Sequence, residues 1–159
     1  AVLFVYSEHI RKVLSVRQFG ARFVSCSLDR TIHLWDPNLP TPTIEKLRNV
    51  KTFSVVEAIS DNVFVSGGET VVDFWDDRNL AAPFLTQQID SKVMCFDFNE
   101  GRLAVGADKD VTLRSGPNWD QIVPLSLNQK AGVASIKLQN HYVVSGFRDG
   151  GICLWNLAP

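Results

Sequence analysis

The sequence has no Cys-x-x-Cys pair, no apolar run of membrane-spanning length and no excess of charge of either sign. Its three cysteines, Cys26, Cys95 and Cys153, are odd in number and far apart, so neither a disulfide framework nor a zinc site is indicated. Each sits in an apolar run, as buried thiols do in a reducing compartment, and an intracellular location, cytoplasmic or nuclear, is expected. No stretch approaches the roughly 20 apolar residues of a membrane helix, and no signal-peptide pattern opens the chain. The formal net charge is −1, from 16 basic and 17 acidic side chains, so no global field draws the chain to nucleic acid or acidic lipid and neither partner is expected. Residues 1–50 hold seven Lys/Arg against four Asp/Glu, 51–100 three against nine, and 101–159 six against four. That unevenness fits loop solvation more simply than a partner footprint. Helical spacing of apolar residues is missing over any window of about eleven residues.

What is present is a repeat. Phe23-Val-Ser-Cys-Ser-Leu-Asp-Arg-Thr-Ile-His-Leu-Trp-Asp36 joins two short alternating runs through a polar turn that holds Asp29. The pattern returns as Phe64-Val-Ser-Gly-Gly-Glu-Thr-Val-Val-Asp-Phe-Trp-Asp76 and as Val143-Val-Ser-Gly-Phe-Arg-Asp-Gly-Gly-Ile-Cys-Leu-Trp-Asn156. Trp35 and Trp75 are 40 residues apart, and Trp75 and Trp155 are 80. The gap holds a worn copy, Leu103 to Ser115, with Arg114-Ser115 where Trp-Asp would fall. A period of about 40 residues marks a repeat architecture with units 1–41, 42–81, 82–120 and 121–159. Short runs rich in β-branched and aromatic residues, bounded by turn residues, give four strands per period. The expected strands are Val13–Gln18, Arg22–Cys26, Thr31–Trp35 and Thr43–Leu47, then Lys51–Glu57, Asn62–Ser66, Val71–Trp75 and Phe84–Ile89. Lys92–Phe98, Arg102–Val105, Val111–Arg114 and Gln121–Leu127 follow, then Gly132–Leu138, His141–Ser145 and Ile152–Trp155. Trp119 falls in a Gly-Pro-Asn turn, out of phase with the other tryptophans.

These residues resemble the WD-repeat family of β-propellers, over essentially the whole chain. The family's unit runs from His through Ser/Thr and Asp to Trp-Asp, and forms a four-stranded antiparallel blade. The first unit matches best, with His9, Ser25, Asp29 and Trp35; the second keeps Ser66 and Trp75 with Glu69 at its turn. The third keeps only Asp108, and the fourth keeps Ser145, Asp149 and Trp155, with Gln129 where His would fall. The resemblance implies an all-β fold of four four-stranded blades, forming an arc of a larger, about seven-bladed propeller. The opening on Ala1-Val2 without Met, and on the strand-like Val2–Ser7, is expected to mark a piece of a longer chain that supplies the other blades. Val2–Ser7 is expected to pair with Ile152–Trp155 in the last blade.

His9, Ser25 and Asp29 are the residue types of a serine-nucleophile triad. The resemblance gives them another role, a structural brace: Trp indole N–H to Ser, Ser to His, His to Asp. A buried indole needs an acceptor, and decayed copies suit a brace better than a catalytic site, which needs one intact set. The brace residues are then His9, Ser25, Asp29, Trp35, Ser66, Trp75, Asp108, Ser145, Asp149 and Trp155. Arg148-Asp149-Gly150-Gly151 and Ser66-Gly67-Gly68-Glu69 precede strands rather than helices, so their glycines read as hairpin turns and not phosphate loops. His33 and His141 have no second imidazole or carboxylate at ligand spacing, and no metal or cofactor is expected.

By position in the family, partners meet the loop into each blade's inner strand and the residue before the turn Asp. Here those positions are Lys12, Leu14 and Leu28, then Lys92, Met94 and Ala107, then Ala134 and Arg148. Apolar residues with basic neighbours suit an acidic or phosphorylated peptide. The implied function is a non-catalytic scaffold or adaptor for a protein or peptide partner. Substrate recognition for a ubiquitin ligase of the F-box kind is one form, although no F-box is present. A propeller hydrolase with its site at the central channel and a purely structural subunit of a large complex are the alternatives.

Overall fold

The computed structural model describes residues 1–48, 53–125 and 131–157, and every regular element in them is a strand. β1 (Val13–Phe19), β2 (Arg22–Ser27), β3 (Thr31–Trp35) and β4 (Thr43–Arg48) form one antiparallel meander. β5 (Val55–Ala58), β6 (Val63–Gly67), β7 (Val71–Asp76) and β8 (Leu85–Gln88) form the second. β9 (Val93–Asn99), β10 (Arg102–Ala107), β11 (Val111–Ser115) and β12 (Gln121–Leu125) form the third. β13 (Val133–Gln139), β14 (Tyr142–Phe147) and β15 (Ile152–Asn156) form the fourth, with three strands among the described residues. Each expected strand from Val13 onward appears within a few residues of its place. The start at Lys51, the end at Leu127 and Gln129 lie outside the described residues. The sheets are offset from the 40-residue units, because each of the first three ends after the strand that follows the Trp-Asp position.

The opening segment is the exception. Val2–Ser7 was expected as a strand, and it forms none. Phe4 and Tyr6 instead lay their rings against Trp35, at centroid distances of 6.1 and 4.6 Å. That aromatic seat holds alternate side chains and leaves Val2, Leu3 and Val5 in solvent.

The chain divides into two compact units, Ala1–Gly68 with Asp73–Thr86 and Glu69–Val72 with Gln87–Pro159. In the first, strand alternation sends Val24, Cys26, Ile32 and Leu34 of β2 and β3 to one face, where they pack with Phe53, Val56 and Phe64. Phe19 meets Phe64 edge to face at 5.5 Å, and both are fully buried. Burying each such side chain contributes on the order of 1.5–3 kcal/mol. Polar ties flank this core: Arg17 Nε donates to Glu57 Oε2 at 2.8 Å, and Arg22 reaches the Asp61 carbonyl and the Asp77 carboxylate.

In the second unit the third and fourth sheets share a core of Ala104, Val111, Leu113, Val133, Leu138 and Val143. Asp97 of β9 accepts the Leu138 N–H at 2.6 Å and the Lys137 ammonium at 3.0 Å. Gly106 marks the closest approach. A Cβ there would stand 2.6 Å from Cys95 Sγ and 2.8 Å from Val133 Cγ1. The Cys95 thiol can turn, but the branched, fully buried Val133 cannot. Gly106→Ala is therefore expected to destabilise the fold by about 1–3 kcal/mol. Denaturant unfolding checks this, with Cys95→Ala/Gly106→Ala recovering only part of the loss because the Val133 contact remains.

Candidate functional site

The β2–β3 hairpin carries two faces. Its register pairs Phe23 with Trp35, Ser25 with His33 and Cys26 with Ile32. Phe23, Ser25, Thr31, His33 and Trp35 thus share the face opposite the apolar core. Asp29 sits in the turn, where its Oδ1 accepts the Thr31 N–H at 2.9 Å. That Asx-type turn places Arg30 at φ 65°, in the left-handed region. The opening segment closes over this face: the Ile10 N–H donates to Asp29 Oδ2 at 3.1 Å, which fixes His9 beside it.

Donor and acceptor chemistry orders the network. Trp35 Nε1–H can only donate, and it points at Ser25 Oγ, 3.3 Å away. Ser25 Oγ lies 2.8 Å from His9 Nε2, and His9 Nδ1–H donates to Asp29 Oδ2 at 2.9 Å. A second arm reaches the same carboxylate. The Thr31 hydroxyl donates to Asp29 Oδ1 at 2.5 Å, because an ionised carboxylate only accepts. Its oxygen therefore accepts from His33 Nε2–H at 2.9 Å, leaving His33 Nδ1 to accept from the Tyr6 hydroxyl at 3.0 Å. Thr43 Oγ1 completes the chain, 2.8 Å from the Tyr6 oxygen. The two imidazoles stack at 3.8 Å, and Trp35 stacks with both Tyr6 and Phe23.

The charges follow from this wiring. Burial works to raise the Asp29 carboxyl, but the bonds from Thr31, His9 and the Ile10 backbone outweigh it and hold the group well below the usual carboxylate range. Burial, then the neighbouring His9 and Lys46, pushes His33 down to about 4, against weaker pulls from Asp29 and Glu8. His33 is therefore a neutral link near pH 7. Its expected isolation is a correction: β alternation puts it on the face of Trp35, and its donor atoms lie within 4.8 Å of those of His9 and Asp29. All four imidazole nitrogens are already engaged, with Ser25, Asp29, Thr31 and Tyr6. His9, Ser25 and Asp29 have triad connectivity, yet Ser25 is 2 % exposed and the His9 and Asp29 side chains 3 % each.

The other sheets keep fragments. Trp75 Nε1 donates to Ser66 Oγ at 2.9 Å. Ser145 Oγ is buried without a hydrogen-bond partner among the described residues. Asp149 accepts the Gly151 N–H at 3.0 Å in an exposed turn, and Gly150 there has φ 88°. Gly67 and Gly68 lie at the β6–β7 hairpin, though neither is among the positive-φ glycines. In the third sheet Leu103 opposes Arg114 as Phe23 opposes Trp35, so Arg114 occupies the tryptophan's place. It is buried, bonded to Gln87 Oε1, and burial lowers its pKa.

The same comparison corrects Asp108. The third hairpin closes Gly106 on Val111 where the first closes Cys26 on Ile32, and is one residue shorter. Asp108 N donates to the Lys92 carbonyl at 2.9 Å, as Leu28 N does to Lys12 at 3.0 Å and Arg148 N to Gly132 at 3.1 Å. Asp108 is thus the counterpart of Leu28 rather than of Asp29, and Ala107 falls one position short of the rim, 1 % exposed. Arg148 stands 3.0 Å from Asp108 Oδ1, near enough for an ion pair though not aligned as a hydrogen bond, and touches Met94 Sδ at 3.3 Å. Lys12, Leu28 and Ala134 are exposed, and Leu14, Lys92 and Met94 half-buried. Tyr6, Thr31, His33 and Thr43 are the network members that the sequence reading missed.

Asp29→Ala strands four donors at once and is expected to cost about 3 kcal/mol or more, whereas Asp149→Ala loses one exposed turn bond and should cost under about 1 kcal/mol. Paired denaturant titrations check the contrast. The pH dependence has a set sign. Between about 6.5 and about 4 an unfolded His33 takes up a proton that the folded one refuses. Stability should therefore fall with falling pH across that window, by at most about 1.4 kcal/mol per pH unit from this group. Asp29, depressed in the fold, adds its own loss only below the normal carboxylate range. His33→Gln should flatten the upper window and leave the lower one.

Comparison with known proteins agrees with this architecture. The WD40 family model, described as WD domain, G-beta repeat, matches residues 1–36, the span that carries His9, Ser25, Asp29 and Trp35. The Ribosome biogenesis protein WDR12 homolog of Ixodes scapularis is 30 % identical over 108 residues, which is 64 % of this chain. The alignment covers 25 % of that protein, so this chain spans about a quarter of its length. The computationally designed Ika4 protein superimposes with a TM-score of 0.81 at 20 % identity, over 99 % of each chain. The WD40 beta propeller domain of Doa1 gives 0.77 at 18 % identity, over 92 % of this chain and 51 % of that one. At those identities the structural likeness concerns the fold alone. With four antiparallel sheets at a 40-residue period and Ser–Trp bonds in two of them, the chain has the fold of a WD-repeat β-propeller, and its first 36 residues match that family's model.

Proposed function

We propose that this chain is a non-catalytic scaffold that holds protein partners within a large assembly, and that the His9–Ser25–Asp29–Trp35 network braces the first blade. One observation carries the reading. Ser25 Oγ, the sole candidate nucleophile of a triad, is buried and spent on the Trp35 indole and His9. A nucleophile must meet a substrate carbonyl at about 3 Å, and this oxygen, 2 % exposed, has no access to one. Energy invested there orders the blade and presents its turn, Leu28 to Arg30, to solvent.

The relative's printed name, a ribosome biogenesis protein, favours complex assembly over ubiquitin-ligase substrate recognition, and a nuclear location goes with it. The rim residues in play are Lys12 and Leu28 of the first blade and Ala134 of the fourth. Leu28 is 43 % exposed at a turn tip, an apolar anchor of the kind that dominates interfaces when a partner covers it. The remaining blades of the parent protein would complete the propeller.

In cells expressing the full-length protein, gradient sedimentation should place a tagged form with large pre-ribosomal particles. Leu28→Glu should reduce that fraction by about tenfold, the equivalent of about 1.4 kcal/mol, without lowering the melting temperature. Sedimentation of the wild type as a free protein would refute the assembly reading. Unchanged co-sedimentation of Leu28→Glu would remove this turn from the interface. Ester hydrolysis that disappears in Ser25→Ala with stability intact would restore the enzyme reading.

A further inference from the structure

Beside the brace lies a concave site of about 300 Å³ at the β3–β4 edge of the first sheet. The β3–β4 register builds it. Thr31 opposes Arg48 and His33 opposes Lys46, so both cations share the face of the network. Glu8 and Ile10 of the opening segment form the facing wall, and the left-handed turn swings Arg30 to the mouth.

The charges in this cavity are not equally committed. Asp29 has both oxygens filled by Thr31, His9 and Ile10. Glu8 is held by Lys46 at 2.9 Å. The guanidinium groups of Arg30 and Arg48, both exposed, have no hydrogen bond or ion pair among the described residues. The acids are thus satisfied and two planar donor forks remain open over one concavity. Such forks match the paired oxygens of a carboxylate or a phosphate. No aromatic side chain with an open ring face lines the site to stack a base, and Glu8 stands on its wall, which disfavours a nucleic acid strand. Ile10, 88 % exposed at the same wall, offers apolar contact to a neighbouring side chain of the ligand.

We infer that this cavity binds an acidic segment of a protein partner, with a side-chain carboxylate or phosphate seated between Arg30 and Arg48. The inference rests on the scaffold reading and names a second, separate contact for it. The Leu28 turn supplies an apolar anchor, and the cavity supplies charge recognition.

The test uses the full-length protein and fluorescence anisotropy at physiological salt with three labelled probes. These are an oligoglutamate peptide, a phosphoserine peptide in a Gly/Ser background, and a single-stranded RNA oligonucleotide. At least one of the two peptides should bind saturably, and Arg30→Glu/Arg48→Glu should weaken it by about tenfold or more. Arg30→Lys/Arg48→Lys should lie in between, since ammonium groups keep the charge and lose the fork. Both residues are exposed, so the melting temperature should not change in either variant. Equal peptide affinity in the charge-reversal variant, or no saturable binding of either peptide, overturns the proposal. RNA binding that falls in that variant while neither peptide binds also overturns it, in favour of a nucleic acid site. If the anion site fails while Leu28→Glu still leaves the pre-ribosomal particles, the scaffold reading stands without it. If the wild type never enters those particles, the scaffold reading fails, whatever the peptides do.

Discussion

A buried indole brings an N–H that can only donate, and leaving it without an acceptor costs about 1–3 kcal/mol. The first blade is arranged around that need. Trp35, half-buried against Tyr6 and Phe23, gives its N–H to Ser25, and Ser25 is held by His9, which is held by Asp29. One carboxylate in a hairpin turn therefore governs the position of a tryptophan at the far end of the adjoining strand, β3. The second arm, from Thr43 through Tyr6, His33 and Thr31, ends on the same carboxylate and binds the opening segment and β4 to the hairpin. Asp29 is the single negative group on which both arms close, and the turn donors Ile10 N and Thr31 N complete its shell.

The blades differ in how much of this they retain. The second keeps the indole–serine bond, with a shorter separation than in the first. The third gives up the pair, placing Arg114 where the indole would be and bonding it to Gln87. Its hairpin is also a residue shorter, so no turn carboxylate can take the position of Asp29. The third blade shares a continuous apolar core with the fourth, with a close approach at Gly106, as the first shares one with the second. The blades thus differ in polar bracing while each pair keeps a shared apolar core.

Strands and their order were legible because each alternating run is short, rich in β-branched residues and fenced by turn residues. Trp35, Ser25, Asp29 and His9 were legible through the family resemblance that they carry. The second arm was not read, although its signal was present: Thr31, His33 and Trp35 stand at i, i+2 and i+4 of one strand and must share a face. Tyr6 could not be assigned by alternation, since its segment forms no strand and is placed by ring stacking on Trp35. Asp108 misled for the opposite reason. It lies 79 residues after Asp29, one short of two periods and in phase with Leu28, and the cross-strand pairing shows that its own hairpin is one residue shorter. An acid one residue out of phase occupies a different position in the turn.

The claim that two arms converge on Asp29 fixes the proton on each ring of the network. Thr31 must donate to the carboxylate, so it must accept from His33, and His33 must carry its proton on Nε2 with Nδ1 facing Tyr6. Long-range nitrogen–proton correlation spectra of isotopically labelled protein at pH 7 read this directly. The account requires a neutral His33 protonated at Nε2, with Tyr6→Phe shifting the Nδ1 resonance as its donor is lost. A His33 ring protonated at Nδ1, or charged at pH 7, would contradict it.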